Sequence, residues 1–360
     1  MSGPIGSESE VAEQGGSAAE PAAPARWDLP SGTGVGPMPG ENPLEAARLV
    51  FGELGGEPGM PFLPQLPERG PGADPVGRAA ALLVDLPVDL QPSGWRLVDR
   101  PGRDLHRARS YLTSDTDALA EAADGYRGPL LTTVTGPWTL AGAIWLQRGE
   151  RIACDLGAAR DLAASLAEGV AEHVRTLQRL VPGAEVIVQF DEPGLPAALE
   201  GRLATVSGYG RLRAVEPYVA QEVLTSAVAT IRLAGARVSL RCNASRAPMP
   251  VLRGAAPDAL AVNLGGLTPR AWESVAVAVE SGIRLTAGVL DVDETALPST
   301  ASVVDEVIAH WERVGLSAQD LLRVDIAPTA GFSGVHLRRI RQLLELAVRA
   351  AGALTDVARG

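Results

Sequence analysis

Two adjacent carboxylates, Asp191 and Glu192, close the apolar run Val186-Ile187-Val188-Gln189-Phe190 and are followed at once by Pro193. Such a run reads as a strand buried on both faces, and its polar ending marks where the chain leaves the core for a cavity. Carboxylates held there can bind a cation or move a proton. Asp191 and Glu192 project to opposite sides of the strand end, so one of them is equally placed to cap a neighbouring helix. Cys242 ends a second run, Val238-Ser239-Leu240-Arg241, where a thiol is either a metal ligand or a small core residue. Cys154 sits beside Asp155 at the start of a helical pattern. The histidines, His106, His173, His310 and His336, show neither HxxxH nor HxH spacing, so no histidine-based metal site is written in the chain. His336 is the one that follows a strand closely enough to face a cavity. With no GxSxG elbow, phosphate loop or CxxC, serine hydrolysis and nucleoside triphosphate chemistry are not indicated.

The elements that must position these groups alternate along the chain. Strand-like runs recur at 95–98, 130–134, 186–190, 237–241, 259–264, 283–290 and 322–326, with a further short strand near 33–36. Between most of them lie helical patterns. Asn42 and Pro43 supply an N-cap and a first-turn proline, and Gly55 a stop. Ser114 with Asp117, and Ser302 with Asp305, have capping-box spacing, and Gly315 closes the second of these helices. Eight strands interleaved with helices over about 330 residues predict an α/β fold, a (β/α)8 TIM barrel rather than an open sheet. The 95–98 run fits least well; if it is a β-ribbon in an insertion, an unread strand lies elsewhere. The Pro/Gly-rich stretch 58–75 reads as an excursion between elements or a lid over the barrel mouth. In a barrel all strand ends share one cavity, which would gather Gly36, Gly136, Trp138, Asp191, Glu192, Cys242, Asn263 and Asp291 around a small molecule.

Bulk properties exclude more than they name. The chain has 360 residues, 46% hydrophobic, with a net charge of −11. No basic field exists to neutralise nucleic-acid phosphates or an anionic membrane, so neither is expected as a partner. Two cysteines make no disulfide framework, and no long apolar span or leader is seen, which predicts a cytoplasmic protein. Residues 1–27 are Ala, Gly, Ser, Pro and Glu with few large apolar side chains, and are expected to form a disordered acidic tail. Residues 28–360 are expected to form one barrel domain.

Several motifs, in this register, resemble a known family. Gln189-Phe190-Asp191-Glu192-Pro193, Thr135-Gly136-Pro137, Gly94-Trp95, Gly288-Val289-Leu290-Asp291 and Pro328-Thr329-Ala330-Gly331 look like the catalytic barrel of cobalamin-independent methionine synthase. The wider superfamily includes uroporphyrinogen decarboxylase. The resemblance implies the same (β/α)8 fold, methyl transfer from a folate or other methyl donor to a small thiol such as homocysteine, and a zinc ion that turns the thiol into a thiolate. It implies that Asp191 binds the amino-acid ammonium, with Glu192, Gly36 and Trp138 beside the substrate. Of the four zinc-ligand positions, matched here by Leu240, Cys242, Asn263 and Ala330, only Cys242 carries a ligating side chain of the family's kind. The turn that receives the substrate carboxylate is Val35-Gly36-Pro37, the proton-donating histidine is replaced by Asp293, and the folate-associated glutamate by Ala197.

Three readings stay open at this level. The first is a zinc methyltransferase, with Asp191 on the acceptor and Cys242 on the metal. The second is a zinc-less relative that binds or regulates, or that uses its carboxylates as acid and base. The third is a decarboxylase-like member with Arg96, Arg100 and Arg103 lining a basic mouth.

Overall fold

The computed structural model describes residues 26–244 and 246–360, together with Gly3. The expected acidic tail lies outside the described residues up to residue 25; Trp27, at its end, is buried. The strands in chain order are β1 (Val88–Gln91), β2 (Gly94–Leu97), β3 (Gly128–Thr135), β4 (Ala184–Asp191), β5 (Arg237–Arg241), β6 (Ala259–Asn263), β7 (Arg284–Leu290) and β8 (Val324–Pro328). The first half carries helices α1 (Pro43–Leu54), α2 (Pro75–Leu82), α3 (Arg103–Ala122), α4 (Pro137–Ala143), α5 (Leu156–Leu180) and α6 (Leu195–Leu199). The second half carries α7 (Pro217–Leu233), α8 (Met249–Gly254), α9 (Pro269–Glu280), α10 (Thr300–Arg313) and α11 (Leu337–Arg359). Among the described residues no helix is long and apolar enough to cross a membrane.

Strands β3 to β8 form one parallel sheet in sequence order. Successive side chains alternate between the helix layer and the barrel axis. Val186, Val188 and Phe190 turn outward into the buried helix layer, whereas Gln189 bonds Thr133 across the interior at 3.2 Å. Two irregular segments complete the ring. The first runs alongside β8, where Thr33 N–H meets the Ile326 carbonyl and Ile326 N–H meets that of Ser31, both at 2.9 Å. The second, around residues 58–65, takes Met60 N–H to the Gly32 carbonyl at 2.9 Å and Leu63 N–H to that of Leu131 at 2.8 Å. Eight walls therefore close, giving a (β/α)8 barrel.

That second wall is the strand the sequence pattern concealed. Proline donates nothing to a ladder, and Pro58, Pro61 and Pro64 break the period-two signal while leaving isolated bridges intact. The first half of the 58–75 stretch is thus barrel wall rather than excursion or lid. The 95–98 run is corrected too: β2 pairs antiparallel with β1 as a two-stranded ribbon outside the barrel sheet. Glycines in the first wall permit close packing. A Cβ on Gly32 would lie 2.4 Å from the backbone of Val348 in α11, and one on Gly34 2.3 Å from the Phe62 ring.

The helix signals divide in a physically sensible way. Asn42 caps α1 through its side chain, Gly55 ends it, and Gly315 follows α10 with φ of +74°. Ser114 and Asp117, by contrast, lie within α3 on its exposed side, and Ser299 caps α10 three residues ahead of Ser302. Spacing by three also places two polar residues together on a helix surface, so it does not distinguish a cap from a solvated face.

Candidate functional site

Parallel pairing sets Thr135 opposite Asp191 and Asp191 opposite Arg241, so β3, β4 and β5 finish level at the barrel's C-terminal mouth. Arg241 turns to the axis there. It donates from Nη1 to Asp191 Oδ1 at 3.0 Å and from Nη2 to the Thr329 carbonyl at 3.1 Å. Asn263 donates to the same carbonyl at 3.0 Å, so three strand ends and the loop after β8 are tied across the mouth. The Asp191 side chain is 26% exposed, and its second oxygen accepts nothing from the described residues. Below lies a floor made by Gln65, which donates to the Thr133 carbonyl at 2.7 Å, and by Gly36. Gly36 has φ of +116°, and a Cβ there would sit 3.3 Å from the Gln65 amide.

Glu192 faces the other way. It is 0% exposed, and its carboxylate accepts from the N–H groups of Trp138 at 2.9 Å and Thr139 at 2.7 Å, and from the Thr139 hydroxyl at 2.6 Å. These are the free donors of the first turn of α4, so Glu192 caps a helix that begins after the neighbouring strand. The Thr139 hydroxyl in turn accepts from Gly194 N–H at 3.0 Å, stapling the loop after β4 to the one after β3. Gly136 leaves room for this: a Cβ there would be 2.5 Å from the Glu192 carboxyl carbon. Burial pushes the Glu192 carboxyl up to about 7, against the pull of its three donors. A carboxyl with that value would suit acid–base chemistry, but one sealed from the mouth reaches no substrate proton.

Cys242 follows β5 and is also buried, its thiol pushed up to about 12, first by burial. The remaining family ligand positions offer the aliphatic Leu240, an amide on Asn263 already donating to Thr329, and Ala330. Asp191, Asp291 and His336 do not complete a ligand set around Cys242: Asp191 pairs with Arg241, Asp291 accepts the backbone N–H of Asp293 at 2.9 Å, and His336 is the N-cap of α11. Among the described residues no three His, Cys, Asp or Glu side chains come together as a metal cluster. A single protonated thiol does not fit a zinc ion, which needs at least three protein ligands.

The other expected site residues are placed as follows. Trp138 is buried in the helix layer, where its indole donates to the Ala220 carbonyl of α7 at 3.1 Å. Arg96 stacks near Trp145 and donates to the Leu146 carbonyl, and Arg100 and Arg103 are exposed beside the same ribbon. A basic mouth built from these three is therefore withdrawn. His173 packs behind Thr132, and burial, with Arg78 adding to it, lowers its imidazole to about 4. Sequence reading passed over Arg241 and Gln65. The first did leave a signal, since Arg237-Val238-Ser239-Leu240-Arg241 alternates polar and apolar residues and so declares one polar face toward the axis.

No family model matches the chain, and no curated protein matches it in sequence. Among solved structures, it is similar to a B12-independent methionine synthase from Shewanella sp. W3-18-1 in complex with selenomethionine, with TM-score 0.48 and 13% identity over 67% of this chain. The match covers 66% of that chain, just under two thirds of its length. An oxaloacetate acetylhydrolase bound to oxalate is similar with TM-score 0.37 and 13% identity, over 84% of this chain and 75% of the other. A psychrophilic glycoside hydrolase family 10 endo-beta-1,4-xylanase follows with TM-score 0.33 and 11% identity, over 61% and 71%. Likenesses this distant, spread over unrelated reactions, carry no statement about chemistry.

Proposed function

We propose that this chain is a metal-independent relative of the methionine synthase barrel that binds a small amino acid or thiol-bearing acid at its C-terminal mouth. One observation carries the reading: the half-open Asp191–Arg241 pair. The free oxygen of Asp191 is suited to an ammonium group. Arg241, which spends one N–H of each Nη on the protein, has further N–H groups suited to a carboxylate. A zwitterion fits such a pair better than a simple cation or anion does. The donor set around Cys242 supports the metal-independent part, and the sealed Glu192 supports binding rather than proton transfer. A soluble, small-molecule role without nucleic acid, in the cytoplasm, belongs to the same proposal.

Elemental analysis and calorimetry on the full chain test it together. The expected result is substoichiometric zinc, with saturable binding of a small amino acid that is lost in Asp191→Asn. Stoichiometric zinc that disappears in Cys242→Ser, together with methyl transfer from methyltetrahydrofolate to homocysteine, would overturn it in favour of the methyltransferase.

A further inference from the structure

At the end of the barrel opposite Asp191, the starts of β5 to β8 border a groove of about 1000 Å3 whose lining includes Trp27, Arg232, Arg237, Arg253, Arg284 and Arg323. Five guanidiniums there meet three lining carboxylates, Asp28, Asp258 and Asp320, in a chain whose net charge is −11. Four of the arginines have acidic partners. Arg232 pairs with Asp258 at 2.9 Å and Arg323 with Asp320 at 3.2 Å, both partly exposed; Arg237 pairs with Glu185, and Arg284 with Asp325. Arg253 has no acceptor among the described residues. Asp28, the lining carboxylate with no arginine partner among the described residues, is solvent-exposed.

A second, independent observation is the state of two buried donors on the groove's wall. Arg284 has a side chain 7% exposed and Trp27 is 1% exposed, yet among the described residues Arg284 Nε and Trp27 Nε1 have no hydrogen-bond partner. A buried N–H left without an acceptor is destabilising, so such groups are rare unless something else meets them. Arg253 and Trp27 are short of the same thing, an acceptor, whereas Arg284 has the unpartnered second oxygen of Asp325 in its own ion pair. Arg323 meets Asp320 through one nitrogen of a partly exposed pair, so its guanidinium can turn toward a ligand at little cost, whereas Arg232 is held by both oxygens of Asp258 and by the Ala256 carbonyl.

We propose that this basal groove binds a phosphate-bearing small molecule, its oxyanion gripped by Arg253 with Arg323 turning in toward it. A polyvalent oxyanion accepts several guanidinium forks at once, which a single carboxylate does not. The site is separate from the mouth, so neither proposal depends on the other.

Inorganic pyrophosphate, titrated calorimetrically into the full chain at constant ionic strength, is the probe. Saturable binding is expected, weakened roughly tenfold or more by Arg253→Ala, since one charge-assisted contact is worth about 1.4 kcal/mol or more. Arg323→Ala should give a second loss, because it lies across the groove. Arg175→Ala, which removes the same charge from the exposed side of α5, should leave affinity unchanged. Urea midpoints establish that each variant is folded before titration. Absence of saturable heat, or an equal loss in Arg175→Ala, would overturn the site, the latter by reducing it to general attraction.

Discussion

Two arginine–aspartate pairs cross this barrel, and their surroundings make them different objects. Arg241 and Asp191 join β5 to β4 at the mouth, 3.0 Å apart, with the carboxylate a quarter exposed. Arg284 and Asp325 join β7 to β8 near the other end, 2.9 Å apart, with the carboxylate 0% exposed. Asp325 also accepts the N–H of Ser31 at 3.0 Å, so it fixes the first, irregular wall against β8. At the mouth, water can replace a lost partner; in the interior, a lost partner leaves a charge stranded. The same chemistry thus serves closure at one end and leaves a carboxylate oxygen open at the other.

The sharpest way to break that contrast is to delete both arginines in turn. Arg284→Met should cost about 3–5 kcal/mol in urea unfolding, because Asp325 is then buried and unpaired, whereas Arg241→Met should cost about 1 kcal/mol, because Asp191 stays open to water. Equal costs would erase the distinction. The second largest effect concerns pH. Unfolded Glu192 releases its proton near 4.5 and the native group near 7, so between them the native state holds the extra proton and stability falls as pH rises, by at most about 3 kcal/mol. His173 works in the opposite sense: its native imidazole stays neutral down to about 4 while the unfolded one charges below 6.5, so stability falls as pH drops through that window. The two windows overlap and mask each other in the wild type. Unfolding of Glu192→Gln across the same range should therefore show the His173 slope alone, and an unchanged profile would mean that the helix donors keep Glu192 ionised.

Smaller effects sort residues that share the mouth's sequence neighbourhood but not its cavity. Trp138→Phe should lose about 1 kcal/mol with its hydrogen bond to Ala220, and leave amino-acid binding at Asp191 untouched. A parallel loss of binding would bring the indole back into the site. Least of all, a thiol reagent should modify the exposed Cys154 in the native protein and spare Cys242 until denaturant is added. Peptide mass mapping reads this directly; native labelling of Cys242 at a similar rate would show that the end of β5 opens.

The strand that ends in Asp191 and Glu192 was legible because its apolar run is local, and the observed β4 extends it only slightly at each side. The helix after Asn42-Pro43 was legible for the same reason, a cap and a first-turn proline being adjacent in the chain. The wall at residues 58–65 was not. Its hydrogen bonds are made at isolated positions to Gly32 and Leu131, and its prolines spoil the alternation by which a strand announces itself.

By itself, then, the sequence determined the alternation of elements, the barrel it implies and the clustering of polar residues at strand ends, all of which follow from periodicity along the chain. Only the tertiary structure decided which of two adjacent carboxylates opens to the mouth and which is sealed under α4. It also gave Asp191 a partner fifty positions away in Arg241, and brought no set of companion ligands to Cys242 among the described residues. The reason is physical: burial and pairing depend on the register of neighbouring strands and on which face of each turns to the barrel axis, and a single run of residues contains neither.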